Sequence, residues 1–451
     1  MFFSRREAEE RSAQRPLLRG LCICALFLSA ALPGEAQQRL TLQEAIDRAL
    51  ERNYDIRIAR NTVEQAQKNN TWGSAGLLPT VGVTGSANKS IVNTKQAFSD
   101  GRTQERAGAA STAYSANAGV DWTIFDGGRA ILTKKQLGAL ESLENVRLRE
   151  RMNATVSAVV QSYAAAVFQQ QQGVAIDTGL SLARVRMELS RIKFELGASP
   201  KTDFLQARVD YNARQSDSVA QEAALTRAFA DLAALMDDPI ETYYVVDDSL
   251  TLNLALSPST PDLLNVSPLV DIARRTAEVS ELSYRIARTS RYPQLSVNGG
   301  YGYNKSTNAA GLLLFNRSYG PTFGAGINIP IYQGGNIRRT ITVAGLEAAR
   351  NELLAGQQGT ATARQYRQAW ADYRAAISSY DLERQNIGFA KENLDIQRAR
   401  FRLGVATTLE SREAENAYVA ALVRLYTAAY NVKAAEVRVL ETEGGLVQAT
   451  P

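Results

Sequence analysis

Four segments of the chain alternate apolar and polar residues with a period of two. In 114–124 the even positions are Tyr114, Ala116, Ala118, Val120, Trp122 and Ile124, and the odd ones are Ser115, Asn117, Gly119, Asp121 and Thr123. In 294–304 the odd positions Leu295, Val297, Gly299, Tyr301 and Tyr303 face away from Gln294, Ser296, Asn298, Gly300, Gly302 and Asn304. The segment 319–331 sets Tyr319, Phe323, Ala325, Ile327 and Ile329 against Gly320, Thr322, Gly324, Gly326 and Asn328, and 80–90 repeats the pattern more weakly. Successive side chains of a strand point to opposite faces, so this spacing predicts strands at about 80–90, 111–125, 294–304 and 319–331. Strands of roughly ten residues, with polar or small residues on one face and aromatics near the ends, match those of transmembrane barrels. Tyr114, Val120, Trp122, Tyr301, Phe323 and Ile327 then face lipid; a half-buried soluble sheet is the alternative.

The segments between the strands read as helix. No proline lies between Pro79 and Pro200 or between Pro330 and Pro451, and these tracts are rich in Ala, Gln, Arg, Glu and Leu. Helices are expected at about 42–78, 128–196, 201–237, 268–292, 336–403 and 408–442. Thr41-Leu42-Gln43-Glu44 and Thr407-Thr408-Leu409-Glu410 are capping boxes, and Ser199-Pro200 and Ser267-Pro268 place a hydroxyl before a first-turn proline. The two longest helices would each run on the order of 100 Å. Two shorter ones laid end to end would match each of them. Leu137, Leu140, Leu143, Leu148, Val156, Val160 and Val167 keep no strict heptad, and small residues fill several faces. That suits a helix with neighbours on both sides, as in a ring, better than a plain long coiled coil.

The chain is also written twice. Phe125-Asp126-Gly127-Gly128 returns as Tyr332-Gln333-Gly334-Gly335, and Phe194-Glu195-Leu196-Gly197 returns as Phe401-Arg402-Leu403-Gly404, both 207 positions later. Ala207 and Tyr211 return as Ala414 and Tyr418 at the same offset. This duplication divides the chain into a first repeat, 37–240, a linker, 241–267, a second repeat, 268–443, and a tail, 444–451.

Residues 1–36 read as an export signal. Basic residues precede the apolar stretch Leu21–Leu32, and Pro33-Gly34-Glu35-Ala36 offers a cleavage site. That stretch falls short of the roughly 20 residues that span a bilayer. Ser4-Arg5-Arg6 hints at twin-arginine export, and Cys22 or Cys24 at a lipid anchor; ordinary signal residues explain both better. Any membrane span is then a β-barrel. Four strands cannot close one, since about eight is the minimum, so the chain must oligomerise if it spans.

Composition narrows the chemistry. The 451 residues include no His and 2 Cys, which removes most zinc sites, imidazole-based triads and haem ligands, and no cofactor or metal is expected. The formal charge of +5 is spread without a basic run, so no nucleic-acid partner is expected. A carboxylate hydrolase would need a paired acid and base in a cleft. No enzyme is expected.

These residues resemble the TolC-like family of outer membrane efflux channels. The resemblance rests on Leu40-Thr41-Leu42-Gln43-Glu44-Ala45 with Ala49, Leu50 and Asn53, on Leu77-Leu78-Pro79, on Phe125-Asp126-Gly127-Gly128, and on the duplicated Leu-Gly tips. Tyr54 departs from the family's usual proline. The resemblance implies a helix-dominated homotrimer, in which the duplicated helix-strand-strand-helix repeat builds a 12-stranded β-barrel and a 12-helix α-barrel. It further implies a passive exit duct for efflux or type I secretion, in the outer membrane of a Gram-negative bacterium with a periplasmic extension. An inner-membrane pump and a periplasmic adaptor would drive it. A non-channel periplasmic coiled-coil or adaptor protein is the alternative.

By the same resemblance Leu196, Gly197, Ala198, Leu403, Gly404 and Val405 meet the adaptor, and Glu410 and Glu413 form acidic rings at the periplasmic entrance. Thr202 and Asp203 match gate positions whose family partners are an aromatic hydroxyl and an arginine. Here Phe401 and Ala406 stand at the partner positions, so that gate does not carry over intact, and Arg402 is the candidate for the missing charge.

Overall fold

The computed structural model describes residues 38–242, 244–246, 250, 252–256, 267–310 and 313–446. The expected signal 1–36, with Cys22 and Cys24, much of the linker 241–267 and residues 447–451 of the tail lie outside the described residues.

The strands are longer than the alternation showed. Strands β2 (Thr80–Ala97), β3 (Thr103–Phe125), β5 (Gln294–Asn308) and β6 (Phe315–Asn328) form one antiparallel sheet in that order. The β2–β3 hairpin runs on past Ser90 and Ser111 to Ala97 and Thr103. Beyond Val92 and Ala109 it is largely polar on both faces, so backbone pairing continues where no period-two signal exists. β6 stops at Asn328 rather than 331, ahead of Pro330.

Register aligns the alternating residues into two continuous faces. Val81 pairs with Val120, Val120 with Gly299, and Gly299 with Phe323. Val83, Ala118, Tyr301 and Pro321 form a neighbouring row on that face, and Trp122, Val297 and Ala325 another. Directly opposed residues share a face, so Tyr114, Val120, Trp122, Tyr301, Phe323 and Ile327 stand together and are exposed in the single chain. The other face is mainly Ser, Thr, Asn and Gly, with Asp121 among them. Across it Ser86 bonds Ser115 at 2.8 Å and Ser90 bonds Ser111 at 2.7 Å. A bulge after Thr123 brings Phe125 opposite Leu295.

Below the sheet the helices follow the repeat. The long helices α3 (Arg129–Glu195) and α6 (Asn336–Arg402) have 67 residues each, about 100 Å. Each leaves the sheet through two left-handed glycines, Gly127 and Gly128 or Gly334 and Gly335. At Gly127 a Cβ would lie 2.7 Å from the Tyr292 side chain, so glycine is required for close approach as well as for φ. Beside α3 lie α2 (Tyr54–Asn69) and α4 (Lys201–Met236); beside α6 lie α5 (Pro268–Thr289) and α7 (Thr408–Glu443).

The expected helix 42–78 is instead α1 (Leu42–Arg52) and α2, broken at Asn53 and ending at Asn69. Asn53 takes an extended ψ, accepts from Asp55 N at 2.9 Å and donates to Leu235 O at 2.9 Å. The amide thus caps one helix and joins it to the end of α4, the local bonding that takes Asn out of helix interiors. After Asn69, Thr71 and Ser74 hydroxyls build the turn toward the strand. The expected Ser199 cap is also absent: Pro200 is the N-cap of α4 and makes no side-chain bond. The boxes at Thr41 and Thr407 form as read.

The main apolar core lies midway along the helices. Parallel strands β1 (Gln38–Leu40) and β4 (Tyr244–Val246) pair there against Val156, Val159, Tyr163 and Val167 of α3 and Leu232 and Met236 of α4. Tyr163 donates to Leu40 O at 3.0 Å, and Arg48 and Arg52 both reach Asp238.

Candidate functional site

The far ends of the helical hairpins, opposite the sheet, carry the predicted site residues. At the first tip Gly197 N donates to Phe194 O at 2.9 Å and Ala198 N to Lys193 O at 2.8 Å, with Gly197 at φ +72°. At the second, Gly404 N donates to Phe401 O at 3.2 Å and Val405 N to Arg400 O at 3.0 Å, with Gly404 at φ +79°. Both tips are therefore the same glycine-terminated helix reversal. No heavy atom lies within 4 Å of a Cβ built on either glycine. The cost of Gly197→Ala or Gly404→Ala is thus backbone strain alone, about 1–2 kcal/mol. It should appear as a lowered unfolding midpoint of the purified protein. At the apex Leu196, Ala198, Leu403 and Val405 are exposed, an apolar rim around two tight turns.

Glu410 and Glu413 are both exposed near the start of α7. Glu410 folds back on its own helix end, accepting from Thr407 N at 2.7 Å and Thr407 Oγ1 at 2.8 Å. These bonds, the backbone one foremost, hold its carboxyl below the usual glutamate range. Its charge therefore survives mild acidification.

The gate candidates separate into two environments. Thr202 and Arg402 are exposed. Phe401 is only 4% exposed, packed between the two repeats. Asp203 is half-buried and accepts from Thr408 Oγ1 at 3.3 Å. Lys193 is a cation close enough to Asp203 to feel its charge. Its ammonium donates to Phe401 O at 2.6 Å and sits 3.7 Å from the centroid of the Phe401 ring. It thereby caps the negative end of α6. The Lys193 pKa is lowered by burial, which outweighs the attraction of Asp203.

One ionic cluster was not foreseen. Arg186 on α3, only 4% exposed at its side chain, bonds Asp210 of α4 at 3.0 Å. The same guanidinium lies 3.4 Å from Glu415 of α7, so it touches both repeats. Burial pushes Glu415 up and Arg186 down, in each case against the pull of the partner. Desolvation thus exceeds the attraction, as expected for a buried pair. A signal existed: Arg186 lies eleven residues before Gly197, and Glu415 eleven after Gly404. Helices reversing at the same level bring such positions to the same height.

Residues 45–237 and 261–445 match the outer membrane efflux protein family. The chain belongs to that family. It is an outer membrane channel of the TolC-like kind. The outer membrane efflux protein BepC of Brucella suis is 26% identical over 94% of this chain and 90% of its own. The proteases secretion protein PrtF of Dickeya chrysanthemi is 20% identical over 72% of this chain and 71% of its own. In fold, the CmeC outer membrane channel of Campylobacter jejuni superposes with a TM-score of 0.75 at 19% identity, covering 90% of this chain and 85% of that one. Transport, not catalysis, is the family's activity. Among the described residues no group of three or more His, Cys, Asp and Glu could hold a metal ion, and no helix is long and apolar enough to cross a membrane.

Proposed function

We propose that three copies of the chain close a 12-stranded barrel in the outer membrane and a 12-helix barrel below it, forming a passive exit duct. The carrying observation is the four-stranded sheet: apolar on one face, polar on the other, and ending at two edge strands, β2 and β6, each paired on one side only among the described residues. In lipid an open edge leaves backbone groups without partners, so β6 of one copy must continue into β2 of the next. The Ser, Thr, Asn and Gly face then lines water, and the small side chains leave a lumen open.

The duct supplies no energy. An inner-membrane pump and a periplasmic adaptor provide it, with the adaptor docking on the apolar rim of Leu196, Ala198, Leu403 and Val405. Proteins named for efflux and for protease secretion both stand among the relatives, so either kind of pump is compatible. Thr202 and Asp203 act at the gate, with Lys193 and Phe401 holding the two tips together behind them.

Glu410 and Glu413 lie one helical turn apart on α7, and threefold symmetry stacks them into carboxylate layers at the entrance. The purified protein should conduct in planar bilayers and prefer cations. Glu410→Gln with Glu413→Gln should lower that preference and relieve block by divalent or trivalent cations added on the periplasmic side. Wild-type protein that inserts but conducts nothing would overturn the duct itself. Unchanged selectivity and block in the variant would remove both residues from the lumen.

A further inference from the structure

The 207-residue repeat relates contacts as well as residues. Inside the chain, Leu182 of α3 is buried against Leu394, Ala414 and Val419 of the second repeat, and Ala175, two turns above it, is fully buried. Their counterparts on α6 are Leu382 and Phe389. These are 62% and 70% exposed, and Ile396, seven residues further on, is 52% exposed. The three form a heptad-spaced apolar stripe that nothing among the described residues covers, whereas Leu182 on the same stripe of α3 is covered by α7. Since α4 is the counterpart of α7, the surface that fits the α6 stripe is α4 of a second copy.

The polar contacts translate with the same offset. Thr408 Oγ1 donates to Asp203 at 3.3 Å within the chain. Moving each by 207 gives Lys201 and Glu410, both exposed and of opposite charge. Lys193 donates to Phe401 O at 2.6 Å. Its translated pair is Arg400 with the carbonyl of Phe194, again a cation at the negative end of a long helix. Both transformed pairs come out chemically complementary, and Lys201, Glu410 and Arg400 were not among the residues that set the offset.

We propose that the seam between copies is a second edition of the contact between repeats: α6 of one copy seats on α4 of its neighbour. Lys201 of that neighbour pairs with Glu410, and Arg400 caps the neighbour's α3 at Phe194. Glu413 then carries the uncompensated charge of the entrance. This rests on the trimeric reading above and adds which residues hold the seam at the tips.

The test is an oxidative cross-link in the full chain, expressed in membranes. Lys201→Cys with Glu410→Cys should give covalent dimers and trimers on denaturing, non-reducing gels. Asp203→Cys with Thr408→Cys, the internal counterpart, should leave monomer mobility unchanged. Monomers alone from the first pair, while the detergent-extracted protein keeps a trimeric mass, would overturn the seam and spare the trimer. A monomeric mass for wild type would overturn both. Independently, Lys201→Glu places like charges at the seam without touching the Glu410 cap. It should lower the temperature at which the trimer dissociates, whereas Lys201→Arg should not; equal behaviour of the two would also overturn the pairing.

Discussion

Arg186→Ala should destabilise the helical region by about 3–5 kcal/mol, the range for removing one partner of a buried ion pair. The guanidinium is enclosed and answers two carboxylates on two different helices. Asp210 would keep Gln206 Nε2 at 2.9 Å and Arg412 at 4.0 Å. Glu415 would keep the Ser411 hydroxyl at 3.3 Å, on its own helix and itself buried, and the weaker pull of Arg398. Its carboxyl, already raised by burial, would rise further and take up a proton. The pH dependence has a definite sign. A carboxyl raised in the folded state opposes folding when ionised, and that penalty fades as pH falls through its raised pKa. The deficit of Arg186→Ala should therefore shrink on acidification. Replacing Arg186 and Glu415 together by leucine should recover much of the loss, because an apolar pair of similar volume has no desolvation cost. Unfolding of the detergent-solubilised protein across a pH series reads all three. A deficit independent of pH would mean that Glu415 is not the group left exposed to the buried site.

How much of this was legible depended on whether a feature writes a period. The sheet faces did: alternation placed Val120, Tyr301 and Phe323 on one side, and the observed register puts them there. The outer hairpin from Asn93 to Gly108 did not, because pairing there rests on the backbone and neither face is apolar. Long helices were visible through missing prolines and through the paired tips, and their ends fall within a residue or two of expectation. The break at Asn53 was hidden. An asparagine inside an apolar-periodic tract looks like a tolerated polar residue until its tertiary partner, the carbonyl of Leu235, is known.

The tips show the same division. Glycine at each reversal was readable, since only the left-handed region ends both helices in this way. The duplication also suggested that Phe194 and Phe401 are equivalent, yet Phe401 is buried and Phe194 is 37% exposed. The difference arises because one flank of the repeat is covered inside the chain and its twin is not. Duplicated sequence thus marks where a missing neighbour belongs. Arg186 carried no signal beyond its matched distance from the tip glycine, since a lone arginine in a helix is ordinarily solvated. Only the three-way convergence of α3, α4 and α7 makes it a buried ion.

Val120→Arg should cost about 2–4 kcal/mol of membrane stability and reduce the yield of inserted protein, because a charge near the bilayer midplane of a barrel's lipid face is that expensive. Val120 occupies the row Val81, Val120, Gly299 and Phe323. Along β5 that row stands four residues from Leu295, near one end of the apolar band, and six from Lys305, where basic residues begin on the same face. It is thus close to the middle of the band. Trp122, two residues nearer the helices, donates its indole N–H to Leu77 O at 2.9 Å, a polar tether suited to the membrane boundary. Thr84→Arg is the matched control. Thr84 opposes Asn117 on the polar face, so its arginine would point into water and leave insertion near wild type. Measuring the heat-modifiable, membrane-inserted fraction of both variants separates the two faces directly. If Val120→Arg inserts as well as Thr84→Arg, the apolar face does not meet lipid. The sheet would then have to bury that face against protein, and the trimeric barrel would lose its main support.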